Sequence, residues 1–141
     1  MEKVVKNVKE WMEYLDESVI DVEIEDNRVE ILRPFKPLAP RWGNSYGYYL
    51  VILNKDGKYE VTIGRYTQTW KRKGWGLSMT DDRVDAQVDV NEEYTEVIVD
   101  KFLDFVGRTE GMNDEIEIGR EYFDIVEYIR EFEEEEDDDT Q

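Results

Sequence analysis

The 141-residue sequence contains neither cysteine nor histidine. Without cysteine there is no disulfide scaffold, no thiolate-ligated zinc site and no thiol catalysis. Without histidine the usual general base at neutral pH is missing, and with it the Ser-His-Asp triad and most transition-metal sites. No stretch approaches the ~20 apolar residues that a bilayer-spanning helix needs. The opening Met1-Glu2-Lys3-Val4-Val5-Lys6 lacks the long apolar core and small-residue cleavage site of a secretory signal. These absences predict an intracellular, cytoplasmic protein that makes no use of a membrane, a cofactor or a metal. Alanine occurs only as Ala39 and Ala86, a composition that suits an AT-rich genome such as many phages carry.

Apolar residues make up 40% of the chain and aromatics 13%, enough to build one core and to exclude full disorder. The net charge of −18 is unevenly placed. Residues 1–73 hold 13 basic and 12 acidic side chains, whereas residues 74–141 hold 5 and 24. An acidic coat serving only solubility has no reason to be so one-sided. Asymmetry of this kind marks a surface or tail that meets something cationic.

Residues 2–16 read as an amphipathic helix, because Val4, Val5, Val8, Trp11, Met12 and Leu15 fall on one face. Ile20, Val22 and Ile24 alternate with acids, Asp26-Asn27 can turn, and Val29 and Ile31 return, which is a hairpin pattern. All three prolines, Pro34, Pro37 and Pro40, lie in an interruption that runs to Ser45. A second hairpin follows: Tyr48–Leu53, the turn Asn54-Lys55-Asp56-Gly57, then alternating Tyr59, Val61 and Ile63. Thr67–Trp70 could add a further strand, and Gly74–Gln87 has no clear period.

Asn91 suits the N-cap of a helix over 92–106, with Glu92 and Glu93 in the first turn and Gly107 just past its end. Thr95, Val97, Ile98 and Val99 would equally suit a strand there. A last helix over 120–135 carries the stripe Tyr122, Val126, Ile129 and Phe132. Glu133–Asp139 is seven consecutive acids, and a disordered acidic tail over 133–141 is expected beyond a single α+β domain at 1–132. The fold class predicted is therefore α+β: an N-terminal helix, an antiparallel sheet of four to five strands from two hairpins, and one or two C-terminal helices. No GxGxxG or P-loop motif is present.

Two acidic rows are the leading functional feature. Glu93, Glu96, Asp100 and Asp104 share one face of the first C-terminal helix, as do Asp124, Glu127, Glu131 and Glu134 on the second. Consecutive members lie about 4.5–6 Å apart along the axis, given the 1.5 Å rise per residue. Rows of carboxylates at that spacing can imitate a phosphate backbone. The expectation is a small acidic binding or inhibitor protein that docks onto a basic surface through Glu93, Glu96, Asp100, Asp104, Asp124, Glu127 and Glu131. Its sharpest form is a DNA mimic from a phage or mobile element that blocks a nucleic-acid-binding protein, in the manner of anti-restriction or anti-CRISPR inhibitors.

Two alternatives belong to other classes. One is an assembly protein that self-associates through its aromatic strands. The other is a single-stranded nucleic-acid binder using a basic-aromatic pole of Arg41, Trp42, Arg65, Trp70, Lys71, Arg72 and Lys73, where phosphates would meet cations and bases would stack on rings. Arg33, Lys36, Tyr66 and Trp75 lie beside that set. The overall charge of −18 disfavours direct nucleic-acid binding. No catalytic residue is nominated: Asp81, Asp82, Asp85 and Asp89 could supply a carboxylate dyad, but acids this abundant single out no pair.

Overall fold

The computed structural model describes the backbone of residues 1–35, 45–70 and 77–139, with the side chains of all of these except 18, 45, 68–70, 77–82 and 134–139. The elements run α1 (Glu2–Met12), a short 3-10 turn (Glu17–Val19), β1 (Asp21–Ile24), β2 (Arg28–Phe35), β3 (Ser45–Lys55), β4 (Lys58–Trp70), β5 (Leu77–Val90), α2 (Glu92–Arg108) and α3 (Glu115–Asp139). The strands form one five-stranded antiparallel sheet in sequential order, β1-β2-β3-β4-β5. The helices pack on one of its faces, which gives the two-layer α+β architecture that the residue pattern implies.

Local chemistry explains most of these elements. Asp56 (φ 54°) and Gly57 (φ 88°) both adopt positive φ between paired Lys55 and Lys58, so β3 and β4 are joined by the primed two-residue turn that matches strand twist. Asn54 Oδ1 accepts from the Gly57 amide at 3.0 Å and fixes that turn. Alternate residues of the strands point inward: Val29, Ile31 and Phe35 on β2, Leu50 and Ile52 on β3, and Tyr59, Val61 and Ile63 on β4 are buried. They meet Val4 and Val8 of α1, Ile98, Phe102, Phe105 and Val106 of α2, and Ile118, Tyr122, Val126 and Ile129 of α3. Burying each such side chain contributes about 1.5–3 kcal/mol.

The question of helix or strand over 92–106 resolves as helix. Asn91 caps it, accepting from the Tyr94 amide at 2.9 Å, and burial of Ile98, Val99, Phe102, Leu103, Phe105 and Val106 outweighs the β-branched propensity of Thr95 to Val99. Gly107 lies inside α2 rather than past its end. A Cβ there would sit 3.2 Å from the end of the Leu15 side chain, a tight contact that Leu15 would have to relieve by a small shift. The residue with left-handed backbone is instead Gly111 (φ 76°) in the turn to α3.

Other boundaries also differ from the sequence pattern: α3 starts at Glu115, before the expected 120, and β2 runs through Pro34 to Phe35. α1 stops at Met12, although Leu15 still reaches the core. Thr67–Trp70 is the end of β4 and not a new strand; the fifth strand is β5, drawn from the segment that showed no period. The acidic run Glu133–Asp139 continues α3 as helix. A docked helix propagates at little cost once nucleated, although seven acids at its C-terminal end oppose the helix dipole.

The sheet face away from the helices carries a reciprocal Tyr–Gly exchange. Tyr66 lies over Gly47 and Tyr49 over Gly64, the partners opposite each in the ladder, and both rings are buried. A Cβ at Gly47 would lie 2.5 Å from the Tyr66 ring, and one at Gly64 would lie 2.4 Å from that of Tyr49, so both positions require glycine.

Candidate binding surfaces

The two acidic rows lie on α2 and α3 as the spacing predicts, but their members are not equivalent. On α2 the row looks towards α1. Asp100 Oδ1 accepts from Asn7 Nδ2 at 2.9 Å and from Trp11 Nε1 at 2.8 Å, and the Glu96 carbonyl accepts from Asn7 at 3.5 Å. Asp104 pairs with Arg108 at 2.8 Å, and Arg108 also pairs with Glu121 of α3. Asp100 therefore joins α2 to α1, while Asp104 braces Arg108, which reaches α3. Glu93 is exposed and makes no hydrogen bond or ion pair with the described residues.

The α3 row differs. Asp124, Glu127 and Glu131 are all exposed, and none forms a hydrogen bond or ion pair with the described residues. Glu134 continues the row in helical backbone. Three cations near it are engaged elsewhere: Lys101 sits 4.5 Å from the Tyr128 ring, Arg108 holds Asp104 and Glu121, and Arg130 donates to the Asp85 carbonyl at 2.9 Å, whereas Arg120, one turn before Asp124, is exposed and forms no ion pair with the described residues. Between the two rows runs a seam in which Tyr94 meets Phe132 edge to face at 4.9 Å.

Glu92, the first residue of α2, is bound to the chain's amino terminus at 3.0 Å and to the Tyr59 hydroxyl at 2.9 Å. The amino group and then Tyr59 hold its carboxyl below the ordinary range, whereas burial first, and Glu92 second, push the Tyr59 phenol up to about 12. This contact ties α1, β4 and α2 together.

The basic-aromatic pole is described only in part. Arg41, Trp42, Lys71, Arg72 and Lys73 fall outside the described residues, as do Lys36 and Trp75. Trp70 is placed by its backbone, opposite Leu77. Phe35, Tyr46, Thr67 and Asp81 lie side by side across four strands, so the two basic connections leave the same end of the sheet. α3 runs away from that end. Glu115 lies near Tyr46, Tyr122 reaches Asp85, and Glu133 accepts from the Gln87 amide further along β5. The acidic run therefore leads away from the end of the sheet at which Phe35, Tyr46, Thr67 and Asp81 lie.

Arg33 is withdrawn from any outward role. It is buried, donates to the Thr109 carbonyl at 3.0 Å and the Pro34 carbonyl at 2.8 Å, and lies 4.0 Å from the Phe35 ring. A cation at the C-terminal end of α2 complements the helix dipole, although burial lowers its pKa. Pro34 is tolerated in β2 because pairing with β1 stops at Leu32, so the strand has one neighbour there.

Sequence reasoning missed the polar cluster under α3. At Ile63/Gly64 the β4–β5 register skips Asp85, and this bulge turns the Asp85 side chain towards the helices. Arg65 Nε and Nη2 grip the Asp85 carboxylate at 2.8 and 2.9 Å, and the Tyr122 hydroxyl donates to it at 2.6 Å. Burial pushes the carboxyl up, but the Arg65 and Tyr122 hydrogen bonds with the Arg65 charge outweigh it, and its pKa is lowered. Burial, then Asp85, raises the Tyr122 phenol beyond any working pH. Asp85 appears in the sequence only as one of four aspartates, and the bulge that selects it leaves no residue signature.

No group of three or more potential ligands among the described residues could hold a metal ion. No helix among them is long and apolar enough to cross a membrane. No protein-family model and no curated protein matches the chain.

Proposed function

We propose that the chain is a binding protein whose carboxylate-bearing helical layer docks onto a positively charged surface of another protein. The observation that carries this reading is the α3 row: Asp124, Glu127 and Glu131 stand exposed and unpaired among the described residues, while Lys101 and Arg130 are engaged elsewhere. Like charges three and four residues apart destabilise a helix by a few tenths of a kcal/mol per pair. A partner rich in arginine and lysine would remove that repulsion and gain from complementary charge. Glu93 and the carboxylate of Glu96 extend the surface onto α2, whereas Asp100 and Asp104 contribute chiefly by shaping it.

The sharper form of the proposal is mimicry of nucleic acid, in which the α3 carboxylates occupy sites that phosphates take on a DNA- or RNA-binding protein of the cell that hosts a phage or mobile element. The test is competition. The protein should displace an oligonucleotide from the partner that it captures, and Asp124→Asn/Glu127→Gln/Glu131→Gln should abolish displacement while Asp104→Asn retains it. Capture with no displacement would remove mimicry and keep docking; displacement by the triple variant would remove the α3 row from both.

Self-association through aromatic strands draws less support, because Tyr48, Tyr49, Tyr59 and Tyr66 are buried and Tyr46 is half-buried.

A further inference from the structure

A second site of opposite sign lies at the far end of the sheet. A cavity of about 390 Å³ opens there on the rungs Tyr46–Thr67 and Tyr48–Arg65–Arg83. That volume lies in the range of small-molecule sites. Arg65 and Arg83 are directly opposite in the β4–β5 ladder, an arrangement of like charges that is unfavourable unless something anionic lies between or beside them. Asp85 answers Arg65 alone, through Nε and Nη2, which leaves the Nη1 donors of a guanidinium that is already held in place. Arg83 is exposed and has no hydrogen bond or ion pair with the described residues. Arg65, Asp85 and Arg83 together leave one positive charge in excess, with Glu115 a described acid on the Tyr46 side. The cavity's aromatic side is Tyr46, half-buried and stacked on Phe35 with centroids 5.1 Å apart, and Tyr48 beneath it; neither hydroxyl has a hydrogen-bond partner among the described residues.

We infer that this cavity binds a nucleotide unit, either free or at the phosphorylated end of a strand. Arg83 and the free edge of Arg65 take the phosphate, and Tyr46 takes the base on the ring face not stacked on Phe35. Guanidinium groups suit phosphate because they offer several donors in one plane, and pre-positioning by Asp85 reduces the ordering cost of binding. This inference does not depend on the acidic row, and its salt response has the opposite sign. The protein as a whole repels an anion at long range, and added salt screens that repulsion more than it screens contacts inside the cavity.

The experiment titrates the full chain with a purine mononucleotide, inorganic phosphate and a 5′-phosphorylated pentanucleotide, by calorimetry or ligand-observed NMR. The mononucleotide is expected to bind more tightly than inorganic phosphate, and to hold or gain affinity as ionic strength rises to about 0.15 M. Arg83→Ala should weaken it about tenfold, the loss expected for a charge-assisted contact, without changing the melting temperature. Tyr46→Leu should erase the preference for nucleotide over phosphate. A pentanucleotide that binds much more tightly than the mononucleotide assigns the site to strand ends, and equal affinities assign it to free nucleotides. No binding at millimolar concentration, binding undiminished in Arg83→Ala, or phosphate binding equal to nucleotide binding would overturn the inference.

Discussion

The two acidic rows have nearly the same spacing, yet the fold treats them differently. On α2, Asp100 is held by Asn7 and Trp11 and Asp104 by Arg108, so that row does structural work. On α3, Asp124, Glu127 and Glu131 touch no described cation. The difference arises from what packs alongside. α1 lies against the flank of α2 that carries its row, whereas the α3 row faces solvent and its flanks meet α2 and β5. Periodicity therefore reports that carboxylates share a face, and only the neighbouring element decides whether that face remains free to bind.

Carboxylates of this chain can be ranked by how firmly the fold holds them, and substitution should follow the rank. Asp85→Asn is expected to have the largest effect, about 2–3 kcal/mol in urea denaturation, because it leaves Arg65 without its charge partner. Arg65 reaches solvent, which keeps the loss below that of a fully buried pair. The pH dependence has a definite sign. The folded-state pKa of Asp85 is depressed, so its contribution is present above the unfolded carboxylate value and disappears as pH falls through the folded one. The gap between wild type and Asp85→Asn should therefore begin to narrow below about pH 4 and close only once the pH has fallen through the depressed folded value. A gap that persists in acid would mean that the side chain acts through shape and not charge.

Asp100→Ala comes next, at about 1–2 kcal/mol for two lost hydrogen bonds that anchor α1, measured by the same denaturation. Asp104→Ala should change stability by no more than about 0.5 kcal/mol, as expected of an exposed i,i+4 pair. At the end of the series, Glu127→Lys should leave stability unchanged or raise it by a few tenths of a kcal/mol, since it relieves repulsion along the α3 row. Loss of stability on changing Glu127 would break the distinction between the rows, whereas a graded series from Asp85 to Glu127 would sharpen it.

Much of the fold can be read from residues. The Asp56-Gly57 turn, the Asn91 cap and the stripe from Tyr122 to Phe132 each name their element through local chemistry. β5 is hard to read, because among its described side chains the inward alternation is confined to Ala86, Val88 and Val90, beyond the bulge at Asp85. Arg33 looked like part of a cationic surface because nothing local reveals that β2 carries it beneath the end of α2. The acidic rows could be read as faces but not as free or engaged, since the contact that engages Asp100 spans 93 residues of sequence to Asn7.

The most direct test of the central claim is the salt dependence of affinity for the captured partner, compared between wild type and Asp124→Asn/Glu127→Gln/Glu131→Gln. Wild-type affinity should fall steeply as salt rises, by roughly tenfold or more between low and physiological ionic strength, and the triple variant should bind weakly with a much shallower slope. Equal affinities and equal slopes for the two proteins would contradict the account.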